Sequence, residues 1–347
     1  MLAYTTQGRD INLDIKRVVG YRQFCNKLWN AVKFALTYLN DFAPSPTMFV
    51  EVLTDSSISG RDKWILSKLN NIIKDCNIYI DNYNFGATAL SLYSFFLYEV
   101  CDYYLELVKP VMYDSDAANQ SRKHCAQVTL YTVIEHYLRL CHPLMPFVTE
   151  ELWQRLPNRE HLTTVPSIMI SAYPSAVPTA FNPVVEEQMD LIKEMIICAR
   201  SLRADYNVTS GSVKTNFYYR SDSPEVIAAI TTFEMDFCTL AKGNYLKLLN
   251  PIGEAPKGCC IRVINDRVTL FIDLSGIIDL DGEINRLGKE KERISSALEQ
   301  FKRKVSAPGY DKVPENVKVL NAEKLSSYEL ELEKTLAAIQ SFESMKL

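Results

Sequence analysis

The chain has 347 residues, 47% of them hydrophobic, enough for two or three domains with a substantial core. Against 38 Lys and Arg stand 42 Asp and Glu, a formal net charge of −4, which excludes a chain that coats nucleic acid non-specifically but not one with a local basic face. The nine cysteines form no C-x-x-C pair and read as reduced thiols, and the longest uncharged stretch, near Phe85 to Tyr98, falls short of a membrane span. With no signal peptide at the start, a soluble, cytoplasmic protein without membrane contact is the expectation.

Apolar residues at three- and four-residue steps predict a helix from Asp14, as N-cap, to about Asn40. A loop over Asn40–Ser45 is followed by helices over Arg61–Asn82, Phe85–Val108 (stopped by Pro110), Ala117–Leu140 and from His142 to about Leu156. Long helices with short links describe an α-bundle. Five prolines between Pro157 and Pro183 mark an irregular closing segment. Beyond it, a helix over Val184–Tyr206, a strand over Val213–Arg220, a short helix from Pro224 to Phe233 and a hairpin of Cys260–Ile264 with Val268–Ile272 predict a small α/β unit. From Glu283, the seam Ile284, Leu287, Lys291, Ile294, Leu298, Phe301 and Val305, a break at Pro308-Gly309, and a second seam from Leu325 to Phe342 predict an antiparallel helical hairpin. The fold class is thus mainly α: a helical bundle over 1–182, an α/β junction over 183–280, and a coiled-coil arm over 281–347, its first helix about 35 Å long.

No catalytic constellation stands out. Glu150 and Glu151 are adjacent on a helix and so do not face each other. Arg22, Asn26, Asn30 and Lys33 fall four, four and three residues apart on one helix face. Amides there can pair with an unpaired base and cations with phosphate, although a solvated polar face has the same pattern. Phe34, off the main seam, is a stacking candidate; Trp29 and Trp153, among apolar neighbours, read first as core. Between Glu283 and Val305 seven cations exceed four anions by three, and Arg286, Arg293 and Lys304 share a face that fits a phosphate track or an ordinary coiled-coil exterior.

Five blocks carry a resemblance. They are Thr5–Asp14, Tyr21–Ala31, Asp62–Leu69, Cys101–Tyr104, and the run His142-Pro143-Leu144-Met145-Pro146-Phe147-Val148-Thr149-Glu150-Glu151-Leu152-Trp153. Together they resemble the valyl-tRNA synthetase family of class I enzymes, and the hairpin with its Ala307–Tyr310 tip is similar to that family's tRNA-binding coiled coil. Isoleucine and leucine relatives share much of the bundle. The family's H-x-G-H and K-M-S-K-S motifs are missing, so the resemblance implies a tRNA-binding C-terminal half, inactive alone, with no cofactor in this chain. ATP and Mg²⁺ would serve an N-terminal catalytic domain of the same polypeptide, absent here. The implied partner is tRNA(Val). Arg22, Asn26, Asn30, Lys33 and Phe34 would meet the anticodon region, Arg9 a stem (or cap its helix with Asp10), and Arg286, Lys289, Arg293 and Lys304 the tRNA elbow. The alternative is a helical scaffold whose coiled coil docks a protein partner.

Overall fold

The computed structural model describes residues 14–206, 208, 213–250, 259–274 and 280–306, with scattered residues between 317 and 339. The chain divides into two compact units, Met1–Ile196 with Pro224–Ala241, and Ile197–Ser223 with Lys242–Leu347. Among the described residues no helix is long and apolar enough to cross a membrane, and all nine cysteines are unpaired thiols.

The first unit is helical: α1 (Ile15–Leu36), α2 (Met48–Thr54), α3 (Gly60–Asp81), α4 (Phe85–Ser94), a wider π-helical stretch Phe95–Tyr104, α5 (Leu105–Met112), α6 (Gln120–Cys141) and α7 (Pro146–Gln154). It also takes the first part of α8 (Pro183–Asp205), together with α9 (Pro224–Thr232) and α10 (Glu234–Ala241). Asp14 caps α1 as expected, accepting from the Lys16 amide at 2.9 Å. Ser59 caps α3: its hydroxyl accepts from the Asp62 amide at 3.3 Å and donates to the Asp62 carboxylate at 2.5 Å. From Cys125 to Cys141, α6 is buried on nearly every side and forms the centre of the bundle.

Several sequence boundaries move. Pro110 does not stop its helix: α5 runs on to Met112, because the carbonyl that Pro110 leaves unbonded belongs to exposed Glu106, where water can reach it. The closing helix begins at Pro146, its N1 position, and not at His142; Leu144 and Met145 turn back onto the Cys141 carbonyl, and His142 Nδ1 lies 2.8 Å from the buried Thr149 hydroxyl. The irregular segment after α7 has no ladder of its own. Side chains of the bundle satisfy its backbone instead: Asn70 donates to the Val177 carbonyl and accepts from its amide, Asn77 donates to the Pro174 carbonyl, Arg139 to the Ala172 carbonyl, and the Asn182 amide donates to Ser67.

One buried charge on α6 sets a pH dependence. Glu135 is 2% exposed and accepts from Arg139 at 2.7 Å and from the Trp153 indole at 3.3 Å, with His136 Nδ1 at 3.1 Å. Burial alone would raise its carboxyl; the His136 and Arg139 partners outweigh it and hold it down at about 2. A depressed carboxylate contributes stability above its unfolded value, near 4.5, and loses it as pH falls toward about 2. We expect roughly 3 kcal/mol to disappear over that window, and Glu135→Gln to remove the slope there. Melting temperatures across the window, with no difference between parent and variant, would refute this.

The second unit holds a four-stranded sheet in the order β2-β1-β4-β3, where β1 is Thr215–Arg220, β2 Gly243–Leu248, β3 Cys259–Asn265 and β4 Val268–Asp273. β1 and β2 run parallel, joined through α9 and α10; the β3–β4 and β1–β4 pairs are antiparallel. The expected hairpin is present, its turn fixed by Asn265 Oδ1, which accepts from the Arg267 and Val268 amides at 2.9 and 3.0 Å. Phe217, Tyr219, Leu270, Ile272 and Cys260 alternate onto one buried face. The end of α8 belongs to that side: Asp205 pairs with Arg262 at 3.3 Å, and buried Arg203 donates to Thr215 and to the Val213 carbonyl.

The arm begins with α11 (Leu280–Val305). Its seam is confirmed at Ile294 and Leu298, both buried. Phe301 lies 6.1 Å from Tyr328 and Lys302 pairs with Glu329 at 2.8 Å, so a later stretch of the chain lies alongside the helix. The Ala307–Tyr310 tip lies outside the described residues.

Candidate nucleic-acid interface

The outer side of α1 carries the row expected from its spacing. Arg22, Asn26, Asn30 and Lys33 are all exposed, while Leu28, Val32 and Ala35 are sealed in the core. Lys27 stands apart from the row and pairs with Asp102 at 3.3 Å. Four-residue steps continue the row Arg22, Asn26, Asn30 into Phe34 and then Tyr38, positions that follow one slowly winding ridge.

Phe34 is not the open ring that the sequence suggests. It is half-buried, with the Lys109 ammonium 5.2 Å from its centroid and Tyr38 edge-on at 5.1 Å. Tyr38 in turn meets Tyr113 at 5.4 Å, again edge-on. Tyr113 is 71% exposed and ends this string of rings in solvent. Burial, with the Tyr113 hydroxyl beside it, pushes Tyr38 up to about 12, so it stays a neutral ring. The polar row therefore runs into an aromatic string whose last ring is open. Sequence reasoning missed Tyr113 because it lies in a connector with no periodicity, 75 residues beyond Tyr38.

The tryptophans read as core are largely so. Trp153 is fully buried beneath the Arg159 guanidinium; Trp29 is half-buried, with the Arg155 guanidinium 5.3 Å from its ring. Glu150 hydrogen-bonds Ser167 and Gln154, and Glu151 pairs with Arg155, so the two carboxylates have separate partners and form no acid–base pair. Arg9 lies outside the described residues, as does the side chain of Arg286. Lys289, Arg293 and Lys304 are exposed on α11. No group of three His, Cys, Asp or Glu side chains that could hold a metal ion is gathered among the described residues.

A helical bundle with an exposed row of cations and amides, ending in aromatic rings, is a surface that can hold single-stranded RNA. Residues 62–217 match the anticodon-binding domain of tRNA ligases, which gives the class. Along 99% of its length the chain is 39% identical to a valine–tRNA ligase of Takifugu rubripes and 37% identical to that of Homo sapiens; over 97% it is 33% identical to one of Legionella pneumophila. Along nearly its whole length the chain is similar to the C-terminal-half region of valine–tRNA ligases. It spans 28%, 27% and 36% of the length of these three relatives.

Proposed function

We propose that this chain is the tRNA-binding portion of a valine–tRNA ligase, gripping tRNA(Val) for aminoacylation by a catalytic portion of the longer protein. The observation that carries this reading is the exposed row Arg22–Asn26–Asn30–Lys33 on a bundle of the anticodon-binding type. In this reading the row and Tyr113 meet the anticodon loop, and Lys289, Arg293 and Lys304 meet backbone phosphates further along the tRNA. The chain by itself joins no amino acid to tRNA, and ATP and Mg²⁺ belong to the catalytic portion. Nine unpaired cysteines suit a reducing compartment, and we place the protein in the cytoplasm.

Binding of a tRNA(Val) transcript, measured by electrophoretic shift over a salt series, tests this. Affinity should fall by about 0.7–0.9 log units per log unit of salt for each phosphate neutralised. Reversing Lys289 and Lys304 to Glu should flatten that slope by about two phosphates' worth. A chain that ignores tRNA at low salt defeats the reading. A slope untouched by the reversal removes the arm from the RNA surface and leaves it as a docking element for protein.

A further inference from the structure

One end of the helical unit leaves large apolar side chains in water. Two links turn there: residues 82–84 between α3 and α4, and residues 142–145 between α6 and α7. Beside them opens a cavity of about 360 Å³, lined by Ile80, Phe85, Leu140, Pro143, Leu144 and Tyr173. A second cavity, of about 500 Å³, runs along the first half of α1, between Tyr21 and Phe24 on that helix and Leu90, Tyr93 and Leu97 across from them. α1 starts at this end too. It follows α4 and its continuation in the same direction, with Phe24 5.0 Å from Tyr93, Lys27 on Asp102 and Phe34 under Lys109. Phe147, on the first turn of α7, is 90% exposed, and Met169 and Ile170 are 78% and 67% exposed. The Ser167 hydroxyl donates to Glu150 at 2.7 Å and so holds the latter pair beside α7. Tyr83, Phe85 and Leu90 are exposed, as are Ile15, Val18 and Val19 on the opening turns of α1. The segments 75–98, 141–154 and 162–182 that carry this end contain no Lys or Arg, against the acids Asp75, Asp81, Glu150 and Glu151.

We propose that this apolar end seats the upstream portion of a longer polypeptide, which docks apolar side chains over Phe147, Met169 and Leu90 and into the two cavities. It rests on reading the chain as one portion of a valine–tRNA ligase. The relatives supply the length: the chain spans 28%, 27% and 36% of the three compared above and is similar to their C-terminal-half region. Most of such a polypeptide would join this chain ahead of α1, at the end that is apolar. A covalent link keeps that portion at high local concentration, so a modest interface is enough to hold it. A contiguous apolar patch is the kind of surface that association removes from water. RNA does not fit here, because phosphates would meet four acids and, in those three segments, no cation. Lys27, on the wall of the second cavity, is already paired with Asp102. Arg17 and Gln23 line the same cavity and give it a polar edge, as a polar rim surrounds the apolar core of an interface.

Hydroxyl-radical labelling read by mass spectrometry tests this on the chain alone, on the chain with a tRNA(Val) transcript, and on the longer polypeptide that contains it. In the chain alone Phe147, Met169 and Tyr83 should be labelled heavily. In the longer polypeptide their labelling should fall at least about fivefold, as side chains pass from water into an interface core. Tyr113, beyond the far end of α1, should stay labelled there. Phe147→Glu with Met169→Glu in the longer polypeptide should restore labelling of Tyr83 and Leu90, because burying a charge opposes docking. Both positions are open to solvent, so in the chain alone the two substitutions should leave melting and tRNA binding unchanged. Equal labelling of Phe147 and Met169 in the chain and in the longer polypeptide overturns the inference, and so does a reading frame that encodes nothing before Met1. Protection of Phe147 by tRNA, or by concentrating the chain alone, also overturns it, since the end then belongs to RNA or to a second copy. The tRNA reading fails by a different sign: Tyr113 in the chain alone would be labelled equally with and without tRNA(Val).

Discussion

Arg61→Met is expected to cost the helical unit about 3–5 kcal/mol. Arg61 and Asp236 meet at 2.6 Å with side chains only 4% and 5% exposed, 175 residues apart in sequence. The pair anchors α10 to the first turn of α3. Next to it, Tyr104 donates to Asp62 at 2.9 Å, and the Phe233 ring packs against Gly60 so closely that an added Cβ would sit 2.9 Å from it. Removing Arg61 leaves a carboxylate buried beside Asp62 without its counterion. Burial already pushes Asp236 up, against the pull of Arg61, and without that pull it would take up a proton or open to water. A buried ion pair is a poor net contributor compared with apolar residues of similar size, so Arg61→Met with Asp236→Leu should recover most of the loss. All three tryptophans, Trp29, Trp64 and Trp153, lie in this unit, and their fluorescence through a urea titration reports its midpoint. A single variant within about 1 kcal/mol of the parent would mean that the pair does not hold α10 in place.

That pair also marks the limit of what periodicity can tell. Elements with their own repeating signal were legible: α1 from Asp14, α3 within a residue of its expected bounds, the β3–β4 hairpin and the buried seam of α11. Each is decided by residues close together in sequence. The return of Pro224–Ala241 to the bundle is decided by partners far away, and nothing within Glu234–Ala241 announces it. β2 was missed for the same reason: six residues after Lys242, which sits at φ 57°, become a strand only because β1 offers a parallel edge. The π-helical stretch Phe95–Tyr104 is so apolar that its composition fits a turn of either width. The candidate site divides along the same line. The polar row on α1 could be read from spacing alone. The state of Phe34 could not, because Lys109 comes from another helix and Tyr113 from a connector.

The row and the open ring together give the largest expected effect on RNA. Arg22→Glu with Lys33→Glu should weaken binding of a tRNA(Val) anticodon stem-loop about 100-fold near 0.1 M salt and lower its salt slope by about two contacts' worth. The two residues are eleven apart, just over three turns, so their charges face the same direction about 16 Å from one another. That is the reach of a few nucleotides of folded loop. Both side chains are exposed and contribute nothing to the apolar seam, so the reversal should leave melting unchanged. Tyr113→Ala isolates the other half of the contact. Stacking of one base is worth about 1–3 kcal/mol, and loss of the ring should appear at every salt concentration with the slope intact, because no charge is removed. Tyr113→Phe should keep the affinity. Phe34→Leu should cost less than Tyr113→Ala, since the Phe34 ring is already covered by Lys109 and Tyr38. The reverse order, with Phe34 dominant and Tyr113 silent, would mean that Lys109 moves aside when RNA binds and that the free ring is not the one that stacks. An anticodon stem-loop bound equally by the parent and by Arg22→Glu with Lys33→Glu would turn the row back into a solvated helix face.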